Sequence, residues 1–161
     1  MTDKEFQITL AKGHEKEDAL VATLNSLNYV RTYTSQSLGK VSGWDISTSQ
    51  CDACPDFTIE TKYDMMAAKT GNVAVEIESR DNSGKIIPSG LSATTADIWA
   101  FAFSDLPHFY YLPVSELNQF LSEKNYHKII WGGYKHLSHI MLIKRDVFLT
   151  HCSTYENANI A

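Results

Sequence analysis

Cysteine is scarce. The chain has three (Cys51, Cys54 and Cys152) in 161 residues, an odd and small set that cannot build a disulfide framework and that fits a reducing compartment. No apolar run approaches the roughly 20 residues that a bilayer-spanning helix needs. The opening Met1-Thr2-Asp3-Lys4-Glu5 has none of the apolar stretch of a secretory leader, so the expectation is a cytoplasmic protein with no membrane partner. Internal repeats and low-complexity tracts are absent as well, which excludes solenoids and fibrous chains. Positive charge is in deficit, with 14 Lys plus Arg against 19 Asp plus Glu and a net charge of −5. Taken alone, that balance argues against a polyanionic partner, but it does not say where the charges sit.

What is present is an ordinary globular composition, 43% hydrophobic and 20% charged, at the length of one domain spanning 1–161. Residues 7–28 read as a helix, with Ala19, Leu20, Thr23, Leu24 and Leu27 at helical spacing. Short β-prone runs follow at 29–34 and 44–48. Residues 57–64 alternate cleanly: Phe57, Ile59 and Tyr63 take one face, Thr58, Glu60, Lys62 and Asp64 the other. Residues 73–79 alternate in the same way, and a polar loop runs from Arg80 to Gly90. A short helix is expected over 92–99, strands over 99–103 and 109–112, and a helix capped by Ser115 and running to about Lys124. Further strands fall at 129–131 and 140–143. This order predicts an α/β or α+β fold around one central mixed sheet flanked by helices.

One polar strand face carries chemistry. Glu60 and Lys62 lie roughly 6.5–7 Å apart along one face of their strand. Asp45 precedes Glu60 by enough chain for two antiparallel strands and a turn, so the two carboxylates can be neighbours across strands about 4.8 Å apart. Paired carboxylates repel unless a cation lies between them, and hard oxygen ligands suit Mg²⁺ or Mn²⁺. A lysine beside such a pair suits metal-assisted hydrolysis of a phosphodiester. An ordinary solvated strand face has the same Glu-x-Lys spacing.

The segment Trp44-Asp45-Ile46, followed by Ile59-Glu60-Thr61-Lys62, resembles the active-site hairpin of the PD-(D/E)XK nuclease superfamily, and the element order resembles its restriction-endonuclease-like core. Gly13-x-x-x-Glu17-x-x-Leu20 resembles the first-helix motif of Holliday-junction resolvases and related nucleases. Tyr63-Asp64, Thr70-Gly71-Asn72, Ser89-Gly90-Leu91 and Thr95-Ala96-Asp97-Ile98-Trp99 resemble small phage and bacterial members. Trp44 stands where the superfamily has proline; Asp56, in a literal Pro-Asp pair, is roughly 13 Å from Glu60 by strand rise and too far to share a metal.

The resemblance implies a metal-dependent DNA endonuclease. Asp45, Glu60 and the Thr61 carbonyl would hold Mg²⁺ or Mn²⁺, and Lys62 would position the attacking water. Glu17 would complete the catalytic set, although an exposed helix glutamate explains it as well. Glu76 is a candidate for a supporting role around the metal or a solvated strand residue. Ser92, Thr94 and Thr95, near the start of the expected short helix, suit a DNA phosphate or simple capping.

From Lys124 to Arg145 the chain has five basic residues and no acidic ones, with Tyr126, Trp131 and Tyr134 interleaved. Lys128, Tyr134 and Lys135 are its DNA-binding candidates, with chance clustering on a solvated surface as the alternative. Cys51-Asp52-Ala53-Cys54 is half of a zinc motif, with only His151-Cys152 to complete it. The acidic excess lies in the first eighty residues, 12 Asp plus Glu against 8 Lys plus Arg, and the remainder is close to balanced at 7 against 6. An acidic chain therefore does not exclude double-stranded or branched DNA. Cutting both strands calls for two sites, hence a homodimer or higher homo-oligomer. A non-catalytic nucleic-acid-binding module on the same fold is the competing reading.

Overall fold

The computed structural model describes residues 2–26, 31–34, 43–49 and 57–155. Helix α1 (Asp3–Ser26) starts earlier than its apolar stripe suggests. Thr2 and Glu5 account for this. The Thr2 N–H and hydroxyl donate to Glu5 Oε2 at 2.7 and 3.1 Å, while the Glu5 N–H donates to Thr2 Oγ1 at 3.2 Å, a reciprocal cap on the helix start.

Strands β1 (Arg31–Thr34), β2 (Ile46–Ser49) and β3 (Phe57–Asp64) form an antiparallel meander. The bounds of β3 are those that period-2 alternation predicts. The chain then turns through α2 (Ala67–Thr70), whose start is held by Asp64 Oδ1 accepting from the Met66 and Ala67 N–H groups at 2.8 and 2.9 Å. Strands β4 (Asn72–Arg80) and β5 (Ile86–Pro88) and a single 3-10 turn (Gly90–Ser92) follow. The chain returns as β6 (Ile98–Phe103), parallel to β3, and then β7 (Phe109–Pro113). Helix α3 (Val114–Ser122), β8 (Lys128–Gly132), a 3-10 turn (Tyr134–His136), β9 (Ser138–Lys144), α4 (Arg145–His151) and β10 (Ser153–Tyr155) complete the order.

The strands make two sheets. A six-stranded mixed sheet runs β1-β2-β3-β6-β7-β10, and a four-stranded antiparallel sheet runs β5-β4-β9-β8. The expected mixed sheet flanked by helices is therefore present. The strand expected over 73–79 as an addition to it lies instead in the second sheet, because β4 pairs with β9.

Strand β6 explains how both faces of the mixed sheet are covered. Its side chains alternate small and large, so Ala100 and Ala102 face α1 while Trp99, Phe101 and Phe103 face the second sheet. On the first face, Leu20 and Leu24 of α1 pack on Ile46, Ile59 and Phe109. Burial of each such leucine stabilises the fold by about 1.5–3 kcal/mol. On the second face, the three aromatics meet Val73 and Val75 of β4, Ile143 of β9, and Leu117, Phe120 and Phe148 of α3 and α4.

Two expected elements differ. The helix over 92–99 is only the turn Gly90–Ser92 followed by β6, since the large–small alternation from Ile98 onwards satisfies a two-sided sheet rather than one helix face. Ser115 does not cap α3, which begins at Val114 behind Pro113 with no side-chain cap; the Val114 N–H donates instead to the Asp97 C=O at 2.8 Å. Cys51 and Cys54 lie outside the described residues. No helix is long and apolar enough to cross a membrane among the described residues.

Candidate active site

Asp45 stands one residue before β2. Extending the register by one step from the Ile46↔Ile59 pair sets it opposite Glu60. Two hydrogen bonds fix it there. The Asp45 N–H donates to the Ile59 C=O at 2.9 Å, and Asp45 Oδ2 accepts from the Thr61 N–H at 2.7 Å. Because the N–H and C=O of a strand residue point to the same side, the Thr61 carbonyl faces the gap beside Asp45. The Thr61 side chain is buried, and its hydroxyl has no hydrogen-bond partner among the described residues.

Glu60 and Lys62 lie on the face of β3 that looks toward the second sheet, beside their register partners Trp99 and Phe101. Lys62 Nζ bonds Glu60 Oε1 and stands 4.9 Å from the centre of the buried Trp99 ring. The Glu60 side chain is 17% exposed and that of Lys62 33%, so the pair sits at the mouth of a largely apolar face. Burial lifts the Glu60 carboxyl above its ordinary value. Lys62 opposes that through its charge and hydrogen bond, nearby Asp45 reinforces it, and a hydrogen bond from Thr94 opposes it again.

Two hard carboxylates on facing strands and a carbonyl on the same edge form a donor set that suits Mg²⁺ or Mn²⁺. No further acid joins them: among the described residues there is no group of three or more His, Cys, Asp or Glu side chains placed to hold a metal. Glu17 belongs to α1, which packs on the opposite face of the sheet through Leu20 and Leu24. Glu76, on β4 of the second sheet, accepts a hydrogen bond from the Ser89 hydroxyl.

The expected phosphate cradle at Ser92, Thr94 and Thr95 also differs. There is no helix there to leave N–H groups free. The Ser92 N–H donates to the Ser89 C=O at 3.1 Å, that of Thr94 to the Gly90 C=O at 2.9 Å, and that of Thr95 to the Gly43 C=O at 3.1 Å. Ser92 is exposed at the turn, whereas Thr94 is half-buried and its hydroxyl donates to the Gly43 C=O at 3.1 Å.

In the basic stretch, Lys128 and Lys135 are exposed. Tyr134 does not present a free ring for stacking. Phe6 of α1 stacks on it at 4.5 Å between centroids, Lys135 Nζ lies 4.7 Å from the same ring, and its hydroxyl donates to Asp3. The sequence reading missed a cluster on the second sheet. The exposed Arg80 guanidinium lies 4.2 Å from the Trp131 ring centre, Trp131 stacks on His139 at 4.7 Å, and His139 Nδ1 bonds Glu78 at 3.0 Å. Trp131 is visible in the sequence as an aromatic among basic residues, but Arg80 is its neighbour only through the pairing of β4 with β9 and of β9 with β8.

This two-sheet α/β architecture, with its acidic hairpin on the mixed sheet, is a nuclease-like fold. In particular, the solved structure of a bacterial homing endonuclease, I-Ssp6803I, is similar to it, with a TM-score of 0.55 and 22% identity over 86% of this chain and 80% of that one. No protein-family model and no curated protein sequence matches the chain.

Proposed function

We propose that the protein is a metal-dependent DNA endonuclease of the PD-(D/E)XK type. The observation that carries this reading is Asp45 set opposite Glu60 across the β2–β3 hairpin, with Lys62 on the same face as Glu60. The similarity of the fold to a homing endonuclease supports it.

Asp45, Glu60 and the Thr61 carbonyl would hold the cation. Mg²⁺ or Mn²⁺ bound there supplies Lewis-acid activation of the scissile phosphate and of the attacking water. Lys62 orients that water and offsets the charge that develops on the phosphorane, its ammonium moving from Glu60 toward the phosphate. The Trp99 ring gives the ammonium a seat through which it can make that move. The Asp45 bond to the Thr61 N–H keeps one carboxylate oxygen fixed while leaving the other for the cation. Two active sites in a homodimer or larger assembly would cut both strands of a duplex.

The test incubates the protein with supercoiled plasmid and with a four-way DNA junction, in Mg²⁺ and in EDTA, beside Lys62→Ala and Asp45→Asn. Cutting that needs Mg²⁺ and is lost in both variants is the expected result. Tight DNA binding without cutting in any divalent metal would replace this reading by the non-catalytic binding module.

A further inference from the structure

The Thr94 hydroxyl stands between the two halves of the proposed site. Its oxygen accepts the Ala96 N–H at 3.2 Å and the Trp99 Nε1–H at 3.4 Å. Those two bonds fill both lone pairs of a hydroxyl and leave only its proton to give. That proton goes to the Gly43 C=O at 3.1 Å. Gly43 lies two residues before Asp45, and its carbonyl also accepts the Thr95 N–H at 3.1 Å. The segment that carries Asp45 is thus fastened to residues 94 and 95, while the same Thr94 oxygen accepts from the indole of Trp99, the register partner of Glu60.

The fastening is close-fitting. Gly43 has φ +70, a conformation that favours glycine, and a Cβ there would lie 2.8 Å from Thr95 Oγ1 and 3.3 Å from the Thr95 nitrogen. A Cβ there would displace the Thr95 hydroxyl, press on the Thr95 backbone and hold a strained φ.

We infer that Thr94 is a positioning residue that sets the separation of Asp45 and Glu60 and thereby tunes the site for a divalent cation. The inference rests on the nuclease reading but addresses a different step. Trp99 and Ala96 aim the hydroxyl proton at the Gly43 carbonyl, and this tie joins the Asp45 segment to Trp99, the strand partner of Glu60, before any cation arrives. Partners of this kind, which orient metal ligands without touching the metal, change metal affinity by roughly 10–100-fold when removed.

The experiment measures Mn²⁺ binding to the full chain by titration calorimetry without DNA, alongside the Mg²⁺ concentration for half-maximal plasmid cutting. Thr94→Val keeps the shape and removes the hydroxyl, and should weaken Mn²⁺ binding and raise the half-maximal Mg²⁺ at least about tenfold. Thr94→Ser restores the hydroxyl and should stay within about threefold of wild type, a rescue that a purely packing role would not give. If Thr94→Val does not fold, Gly43→Ala disrupts the same clasp from the other side and should weaken Mn²⁺ binding while Thr94→Ser does not. Wild-type affinity in Thr94→Val or, where that variant does not fold, in Gly43→Ala overturns the inference. So does a serine variant as weak as the valine one. Asp45-dependent Mn²⁺ binding by the wild type would leave the nuclease reading standing in those cases, whereas no Mn²⁺ binding at all would overturn both.

Discussion

Replacing Lys62 by methionine separates two roles that the structure gives its ammonium. In the metal-free protein that ammonium is the cation for Glu60, whose side chain is 17% exposed. Breaking a fully buried pair costs about 3–5 kcal/mol, and breaking an exposed one about 0–1 kcal/mol. With Lys62 itself a third exposed, the Lys62→Met cost falls between these limits, about 1–2 kcal/mol. Methionine keeps the aliphatic contact with Trp99, so the change isolates the charge. For a chain of this size the melting temperature should drop by roughly 3–6 °C. The ammonium also competes with any cation for Glu60 Oε1, which leads to an opposite effect on binding. Lys62→Met should bind Mn²⁺ more tightly than wild type, by about fivefold if the competition is worth about 1 kcal/mol. Cutting should nevertheless disappear, because no group then positions the water or meets the phosphorane charge. Melting curves with and without Mn²⁺, calorimetric titration and a plasmid nicking assay read these three effects. Weaker metal binding by the variant, or cutting at the wild-type rate, would refute the reasoning.

Other consequences are more direct. Burial raises the Glu60 pKa above its ordinary value, so ionised Glu60 is lost at a higher pH than an exposed carboxylate would be as pH falls; apparent Mn²⁺ affinity at subsaturating metal should fall off earlier than for a model glutamate. The same raised value means that Glu60 favours the metal-free fold below the unfolded pKa, an advantage lost as pH rises through the folded one. Glu60→Gln should therefore flatten that slope in metal-free melting curves. Arg80→Ala removes an exposed guanidinium braced by Trp131, and should reduce the slope of log affinity for DNA against log salt by about one without changing the cutting rate at saturating DNA. Phe148→Ala removes a fully buried ring packed edge-on against Phe101 and should cost about 3–5 kcal/mol in denaturant unfolding.

Local periodicity made part of this molecule readable before folding. Strand β3 and the facing positions of Asp45 and Glu60 follow from alternation, strand spacing and loop length, all of which are short-range. The second sheet does not follow, because β4 finds β9 across more than fifty residues and nothing local encodes that partner. Residues 92–99 misled in part: their apolar spacing is compatible with a helix, but the chain makes only the turn Gly90–Ser92 before the strand expected over 99–103 begins at Ile98. Thr94 was singled out as a phosphate ligand for its place near a helix start. With that helix absent, its hydroxyl turns to Gly43 and Trp99, a set of partners that no spacing in the sequence reveals.

Single-turnover cutting of supercoiled plasmid by wild type and Glu60→Gln, with DNA binding measured in parallel, tests the central claim most directly. The exchange of one oxygen for an amide nitrogen removes a cation ligand while keeping the shape of the side chain. The expected result is Mg²⁺-dependent cutting by the wild type, a loss of at least about a thousandfold in the variant (about 4 kcal/mol in the barrier) and DNA binding little changed. Cutting by the variant at the wild-type rate, or by the wild type equally well in EDTA, would contradict the account.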